Sequence, residues 1–295
     1  MKSDIIVTSR FETLGSDLAE LAKARLSLLV LVTTLVGFLL GWTGPMNYLL
    51  LAATIVGTAL CAAGAGALNQ WWERDHDALM KRTSNRPLPG RRVHPTDALL
   101  VGLFFSVTGL VILSVFTNTT ATFLAFATLA IYVLVYTPMK RISTLNTLVG
   151  AIPGALPPLI GWVAARNSYS LEGGLLFAIM WFWQMPHFLA IAWMYRTEYA
   201  DAGFVMLPGR DTTGLVTARQ ALLYCVCLVL VSLLPAFFSF ASVGYAIGAL
   251  VLGAGFCWTS VRFFMERSRG AARVMFLASI LYLPLLLGLL LIARR

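Results

Sequence analysis

A chain of 295 residues with 59% hydrophobic and only 12% charged residues departs from soluble globular domains, in which roughly a quarter of residues are charged. Its mean hydropathy is +0.80. The net charge of +9 does not indicate nucleic acid, because no nucleic-acid motif accompanies it and the basic residues sit in short loops, as beside anionic lipid headgroups.

In chain order, residues 1–25 are too polar for a cleaved signal peptide. Nine apolar stretches follow, at about 27–43, 47–67, 97–115, 119–137, 146–164, 173–194, 220–240, 243–262 and 274–293. A bilayer is crossed by about 20 apolar residues in a helix, and no ten-residue alternating segments point to strands. The fold class is therefore an all-α membrane protein with nine transmembrane helices, organised as a single polytopic domain over 1–295. Pro153, Pro157 and Pro158 predict an interruption in the fifth span. Cys61, Cys225, Cys227 and Cys257 all lie in apolar stretches without CxxC or metal spacing, and read as small buried residues.

Orientation follows from the basic residues. With the N-terminus in the cytoplasm, the inner joints hold 4, 6, 2, 3 and 4 Lys and Arg, and the outer side only Arg166, Arg294 and Arg295. That asymmetry satisfies the positive-inside rule. Two inner joints are long, about Gln70 to Thr96 and about Tyr195 to Arg219.

The first long joint carries the densest chemistry. Residues 69–92 hold nine charges, and each costs about 2.5–3.5 kcal/mol at the bilayer centre, so the stretch must face water. If the second helix continues past Leu68, Asn69, Glu73 and Asp77 fall at i, i+4 and i+8 on one face. Asp75 is about 200° away from Glu73. Two carboxylates and an amide in that array suit Mg²⁺, which takes hard oxygen ligands, waters and phosphate oxygens. Lys81, Arg82 and Arg86 follow as cations for a diphosphate, and Pro87 and Pro89 are expected to end the helical run. Glu198 and Asp201 in the second long joint are a second acidic pair on the same side, and Lys140 and Arg141 add cations from the joint between. A charged inner loop also sets topology and solvates helix ends, so spacing alone leaves both readings open. His187 lies inside the sixth span beside Trp183, Gln184 and Pro186. It reads either as a metal ligand or as a buried histidine bonded to a neighbouring helix. Gln184, one turn earlier, is placed toward the same cavity, and Trp71, Trp72 and Trp193 as interfacial anchors.

The stretch "NQWWERDHDALMKRTSNRPLP" (69–89) resembles the N-x-x-x-D-x-x-x-D motif of the UbiA-type intramembrane prenyltransferases, with Glu73 where many members have Asp. Two further stretches, "YTPMKRISTLNTLVGAIPGALPPLIGW" (136–162) and "FWQMPHFLAIAWMYRTEYADAGFVMLP" (182–208), resemble the protoheme IX farnesyltransferase (heme O synthase) branch. The resemblance implies transfer of farnesyl from farnesyl diphosphate to the 2-vinyl group of heme B, with water addition, giving heme O and diphosphate. It implies Mg²⁺ as cofactor, with Asn69, Glu73, Asp77 and Glu198 as catalytic and metal-holding residues. Glu198 matches the acidic position before Tyr in the heme branch; Asp201 matches no motif position and is a metal candidate by spacing. Lys81, Arg82, Arg86, Lys140 and Arg141 are the diphosphate candidates, and His187 with Gln184 the heme candidates. The setting implied is the bacterial inner membrane with the site near the cytoplasmic face, and heme A synthase or a terminal oxidase as downstream partner. The alternatives are another acceptor (a quinone precursor or chlorophyll type), a transporter, or an assembly subunit.

Overall fold

The computed structural model describes residues 15–294. Residues 1–14 and Arg295, which contribute the polar N-terminus, Lys2, Arg10 and one outer charge to the reading above, lie outside them. Among the described residues, a short helix at 15–21 leads into nine helices long and apolar enough to cross a membrane: α1 (Ala24–Gly41), α2 (Tyr48–Asp77), α3 (Pro95–Phe116), α4 (Thr119–Met139), α5 (Asn146–Arg166), α6 (Leu171–Met194), α7 (Leu215–Phe237), α8 (Val243–Glu266) and α9 (Arg269–Ala293). Two short helices, Arg196–Asp201 and Leu207–Arg210, lie between α6 and α7.

The caps follow the sequence. Asn47 and Asn118 accept from the backbone N–H groups of Leu50 and Ala121, and Ser242 and Ser268 from Tyr245 and Ala271, satisfying donors that the first helical turn leaves orphaned. α5 and α6 are the centre of the bundle and the most buried of the nine, and α3 is the least buried. α1 and α4 pack on α5, α2 on α3, and α6 contacts α5, α7 and α9. Outward faces carry large exposed apolar residues such as Leu100, Phe104, Val107 and Val111, which a lipid-facing surface requires.

Three expectations need correction. α5 is unbroken: Pro153, Pro157 and Pro158 lie inside it and are buried. Neighbours hold it in place by packing: α1, α4 and α6 lie against it, and the Asn118 and Gln184 side-chain amides donate to its Val163 and Ala151 carbonyls, so prolines are tolerated where surrounding helices fix the backbone. α2 ends at Asp77, ten residues before Pro87, because Thr83 Oγ1 folds back to donate to the Asp77 carbonyl at 2.8 Å, closing the last turn. Trp193 is not an interfacial anchor: it is 4% exposed and packs edge-on against Phe263 of α8.

α4 also holds a feature the sequence reading did not anticipate. Ile131–Tyr136 is a π-helical segment, widened so that the Thr137 N–H and hydroxyl both reach the Tyr132 carbonyl. Such widenings rotate the following residues to a new face and concentrate at functional sites.

Candidate active site

α2 is long enough to carry its polar end into the bundle. Asn69, Glu73 and Asp77 share one face and are 0%, 4% and 1% exposed, while Asp75 points outward with 79% of its side chain accessible. Buried carboxylates must be paired, and these are paired by cations from elsewhere. Lys140 Nζ, just past α4, lies 2.8 Å from Glu73 Oε1 and 3.1 Å from Oε2. Arg86 Nη1 lies 2.6 Å from Asp77 Oδ2. Asn69 donates through Nδ2 to Thr137 Oγ1 at 2.9 Å and accepts from Lys23 Nζ.

Lys23 is a residue that sequence reasoning missed as part of the site. It precedes α1 in a left-handed conformation, φ 48°, which costs a residue with a Cβ about 1–3 kcal/mol. Gln70 holds the preceding segment in place, donating to the carbonyls of Glu20 and Leu21 at 2.8 and 3.0 Å. Arg92 ties the same segment down through Asp17 (2.7 Å) and Glu20 (2.9 Å). Burial, with the nearby charges of Arg86 and Lys140, lowers the Lys23 pKa to about 7 against the opposing pull of Glu73 and Asp77. For Lys140, burial opposes the charge, but Glu73, Tyr136 and Tyr132 outweigh it and raise the pKa above its usual value.

The second long joint closes over this cluster. Val205 N–H donates to the Lys140 carbonyl at 2.7 Å, and Asn146 Nδ2 to the Val205 carbonyl at 2.8 Å. Met80 joins Ala202, Phe204 and Met206 in a small core between the two joints. Arg82 crosses between them, donating to Tyr199 Oη at 2.9 Å with its guanidinium over the rings of Tyr195 and Tyr199. Burial opposes its charge, and Tyr199, Tyr195 and Glu198 outweigh that and hold its pKa above the usual value. Glu198 is half-buried on this Arg82 side and Asp201 is exposed. Among the described residues no three His, Cys, Asp or Glu side chains gather as a ready-made metal site, so the second acidic pair does not meet the first directly. Lys81 and Arg141 are exposed and join neither ion pair.

His187 and Gln184 do not share a neighbour as expected. Gln184 faces α5, donating to Ala151 O at 3.3 Å and lying against Gly154. His187 faces α9, with Nδ1 2.7 Å from Ser279 Oγ. Ser279 Oγ also lies 2.6 Å from the Phe276 carbonyl. A hydroxyl donating to that carbonyl makes Nδ1 the donor to Ser279 and leaves the lone pair on Nε2, whereas a hydroxyl turned to Nδ1 reverses the tautomer. Trp183 and Phe276 pack on the imidazole at 4.8 and 5.0 Å.

Two buried carboxylates and an amide lie on one helical face and are met by three converging cations, an arrangement chemically able to receive an anion together with a hard cation. The family model of UbiA prenyltransferases matches residues 30–283. The chain belongs to the UbiA prenyltransferase family. Among its UbiA relatives, a protoheme IX farnesyltransferase of Solibacter usitatus is 44% identical over 94% of this chain and 98% of its own. Another from Opitutus terrae is 41% identical over 95% of each chain. A solved UbiA homolog from Archaeoglobus fulgidus, bound to GPP and Mg²⁺, has a TM-score of 0.68 over 93% of this chain and 99% of that one. At 14% identity it speaks to the fold. Within this UbiA fold, Lys23 reaches the site from just ahead of α1, and Tyr132 (Oη 3.4 Å from Lys23 Nζ) and Thr137 reach it from the π-helical turn. No local spacing signals any of them.

Proposed function

We propose that this chain transfers the farnesyl group of farnesyl diphosphate to the 2-vinyl group of heme B, yielding heme O and diphosphate. The enzyme is an integral membrane protein, and its class, prenyl transfer for heme O synthesis, agrees with the names of its relatives. The observation that carries the reading is the buried Asn69–Glu73–Asp77 face enclosed by Lys23, Lys140 and Arg86. The chain acts as one domain, in the bacterial inner membrane, with this end of the bundle toward the cytoplasm, where the positive loops would lie.

The residues fit a divalent metal. Glu73 Oε1 is buried against the Lys140 ammonium at 2.8 Å, and the Asn69, Glu73 and Asp77 donors are all oxygen. Asn69, Glu73 and Asp77 would hold Mg²⁺, with Glu198 completing the set from the second joint and Asp201 at its rim. The bound metal would neutralise charge on the diphosphate as it leaves. Lys140 and Arg86, released from their carboxylates, take diphosphate oxygens, with Arg82 beside them and Lys81 and Arg141 at the entrance. As the C–O bond of the allylic carbon breaks, its electron pair leaves with the diphosphate. The vinyl terminal carbon of heme B bonds to that allylic carbon, and the cation left on the vinyl group takes water and loses a proton. The apolar helical interior keeps water from the allylic cation before capture. His187 would ligate the heme iron through Nε2, and Gln184 braces α6 against α5.

Expression in a host that makes no heme O, followed by mass spectrometry of extracted hemes, should yield heme O. Heme B as the sole product, or prenylated 4-hydroxybenzoate when that acceptor is supplied, would replace this reading with another acceptor. For His187, the purified protein with ferric heme B is expected to lose its axial-ligand signature in the visible spectrum on His187→Ala. An unchanged Soret band ends the ligand assignment.

A further inference from the structure

A second feature lies at the same end of the bundle but outside the carboxylate cluster. Between the end of α6 and the start of α9 is an open-sided cavity of about 690 Å³, lined by Met194, Tyr195, Phe276 and the exposed Arg269, Arg273 and Leu277. That volume is within the range of small-molecule sites, which are commonly apolar with a few placed polar groups. Its charged groups are two guanidiniums of one sign. Arg269 and Arg273 are four residues apart, on one side of α9 and about 6 Å apart along its axis. Among the described residues neither has a carboxylate within ion-pair distance. They also sit in the opening turns of α9, where the helix dipole disfavours cations, so local helix stability does not account for them.

The lining connects to both substrate-handling regions. The Tyr195 ring lies under Arg269 at 5.9 Å and under Arg82 at 5.1 Å, so one ring joins the cavity to the arginine beside the diphosphate site. At the other end, Phe276 packs 5.0 Å from the His187 imidazole. From Arg273 to Ser279, which fixes that imidazole, is six residues, about 9 Å along α9.

We propose that this cavity is the acceptor pocket, in which Arg269 and Arg273 grip the two carboxylates of a planar, apolar dicarboxylate while its ring extends toward Phe276 and His187. This rests on the heme B reading above, whose propionates are such a pair. Guanidinium forks match carboxylates through two parallel hydrogen bonds, and an apolar body with one charged edge suits a cavity with arginines at one end and Phe276 and Leu277 at the other.

The test is a cycle between ligand and protein, using the full chain in zwitterionic nanodiscs with empty nanodiscs as the blank. Heme B and its dimethyl ester, which lacks the carboxylate charges, are titrated into the parent and into Arg269→Gln/Arg273→Gln. The double variant is expected to bind heme B about tenfold more weakly, the scale of two partly exposed ion pairs, and the dimethyl ester with parental affinity. Parental ester binding also shows the variant to be folded. Unchanged heme B binding, or an equal loss for acid and ester, overturns the proposal and leaves the arginines to topology or lipid headgroups. Parent protein that makes heme O while the cycle is flat rejects this pocket alone. Parent protein that neither binds nor farnesylates heme B rejects the acceptor reading together with the pocket.

Discussion

Glu73→Gln and Asp77→Asn are each expected to lower heme O formation by about 10²- to 10³-fold, the loss typical when a preorganised charge contact to the reacting group is removed. The two should part company in stability. Glu73 is the counter-charge of Lys140, whose side chain is 13% exposed, so Glu73→Gln leaves a cation confined without a partner. Removing one member of a buried pair costs about 3–5 kcal/mol, and a fall toward that scale is expected in the thermal midpoint of the purified protein. Asp77 is paired to Arg86, whose side chain is 24% exposed and can turn to water. Because that guanidinium can be hydrated, Asp77→Asn should unfold close to the parent while losing as much activity. Glu73→Asp keeps the carboxylate and is expected to retain most of the activity, which separates charge from shape. Adding Lys140→Met to Glu73→Gln should restore the midpoint but not the rate. If either amide variant kept more than about a tenth of the parent rate at saturating Mg²⁺, the metal–diphosphate assignment would fail, because a loss of one preorganised contact is larger than that.

That contrast also marks what a linear reading reaches. The face of Asn69, Glu73 and Asp77 is legible because it depends only on helical arithmetic within nine residues, and the structure carries α2 through Asp77. The nine spans are legible because hydrocarbon thickness sets their length. What pairs the carboxylates is not local. Lys23 lies 46 residues from Asn69, and Lys140 lies 67 residues from Glu73. Arg82 was legible as a cation but not as the link to Tyr199, 117 residues away. The α4 widening has no composition signal, since Ile131–Tyr136 reads as ordinary apolar helix. The prolines of α5 mislead for the opposite reason: the local rule for proline is sound, and tertiary support overrides it. Gln184 and His187 are three positions apart, which leaves them about 60° apart around α6, enough for one to meet α5 and the other α9.

The support for α5 makes the second large expectation. α1 and α5 approach so closely that backbone touches backbone. A Cβ added at Gly37 would lie 1.9 Å from the Pro158 carbonyl oxygen, and one at Gly161 would lie 1.9 Å from the Thr34 carbonyl oxygen. Neither obstacle can rotate away, as a side chain would. Gly37 and Gly41 are also spaced as a small-xxx-small pair, the arrangement that lets membrane helices approach. Gly37→Ala and Gly161→Ala are therefore each expected to destabilise by about 1–3 kcal/mol or more, read as a lowered thermal midpoint in detergent. Gly41→Ala, whose nearest obstacle is 3.0 Å away, should cost less, and Gly174→Ala, with nothing within 4 Å, should cost nothing. The consequence reaches the chemistry, because α1 begins one residue after Lys23. A shift of α1 off α5 moves the Lys23 ammonium relative to Asn69, so the folded fraction of Gly37→Ala should also lose heme O formation per molecule. A Gly161→Ala protein that melts with the parent would show that the helices part without cost, and that the close crossing does not hold the site's first cation in place.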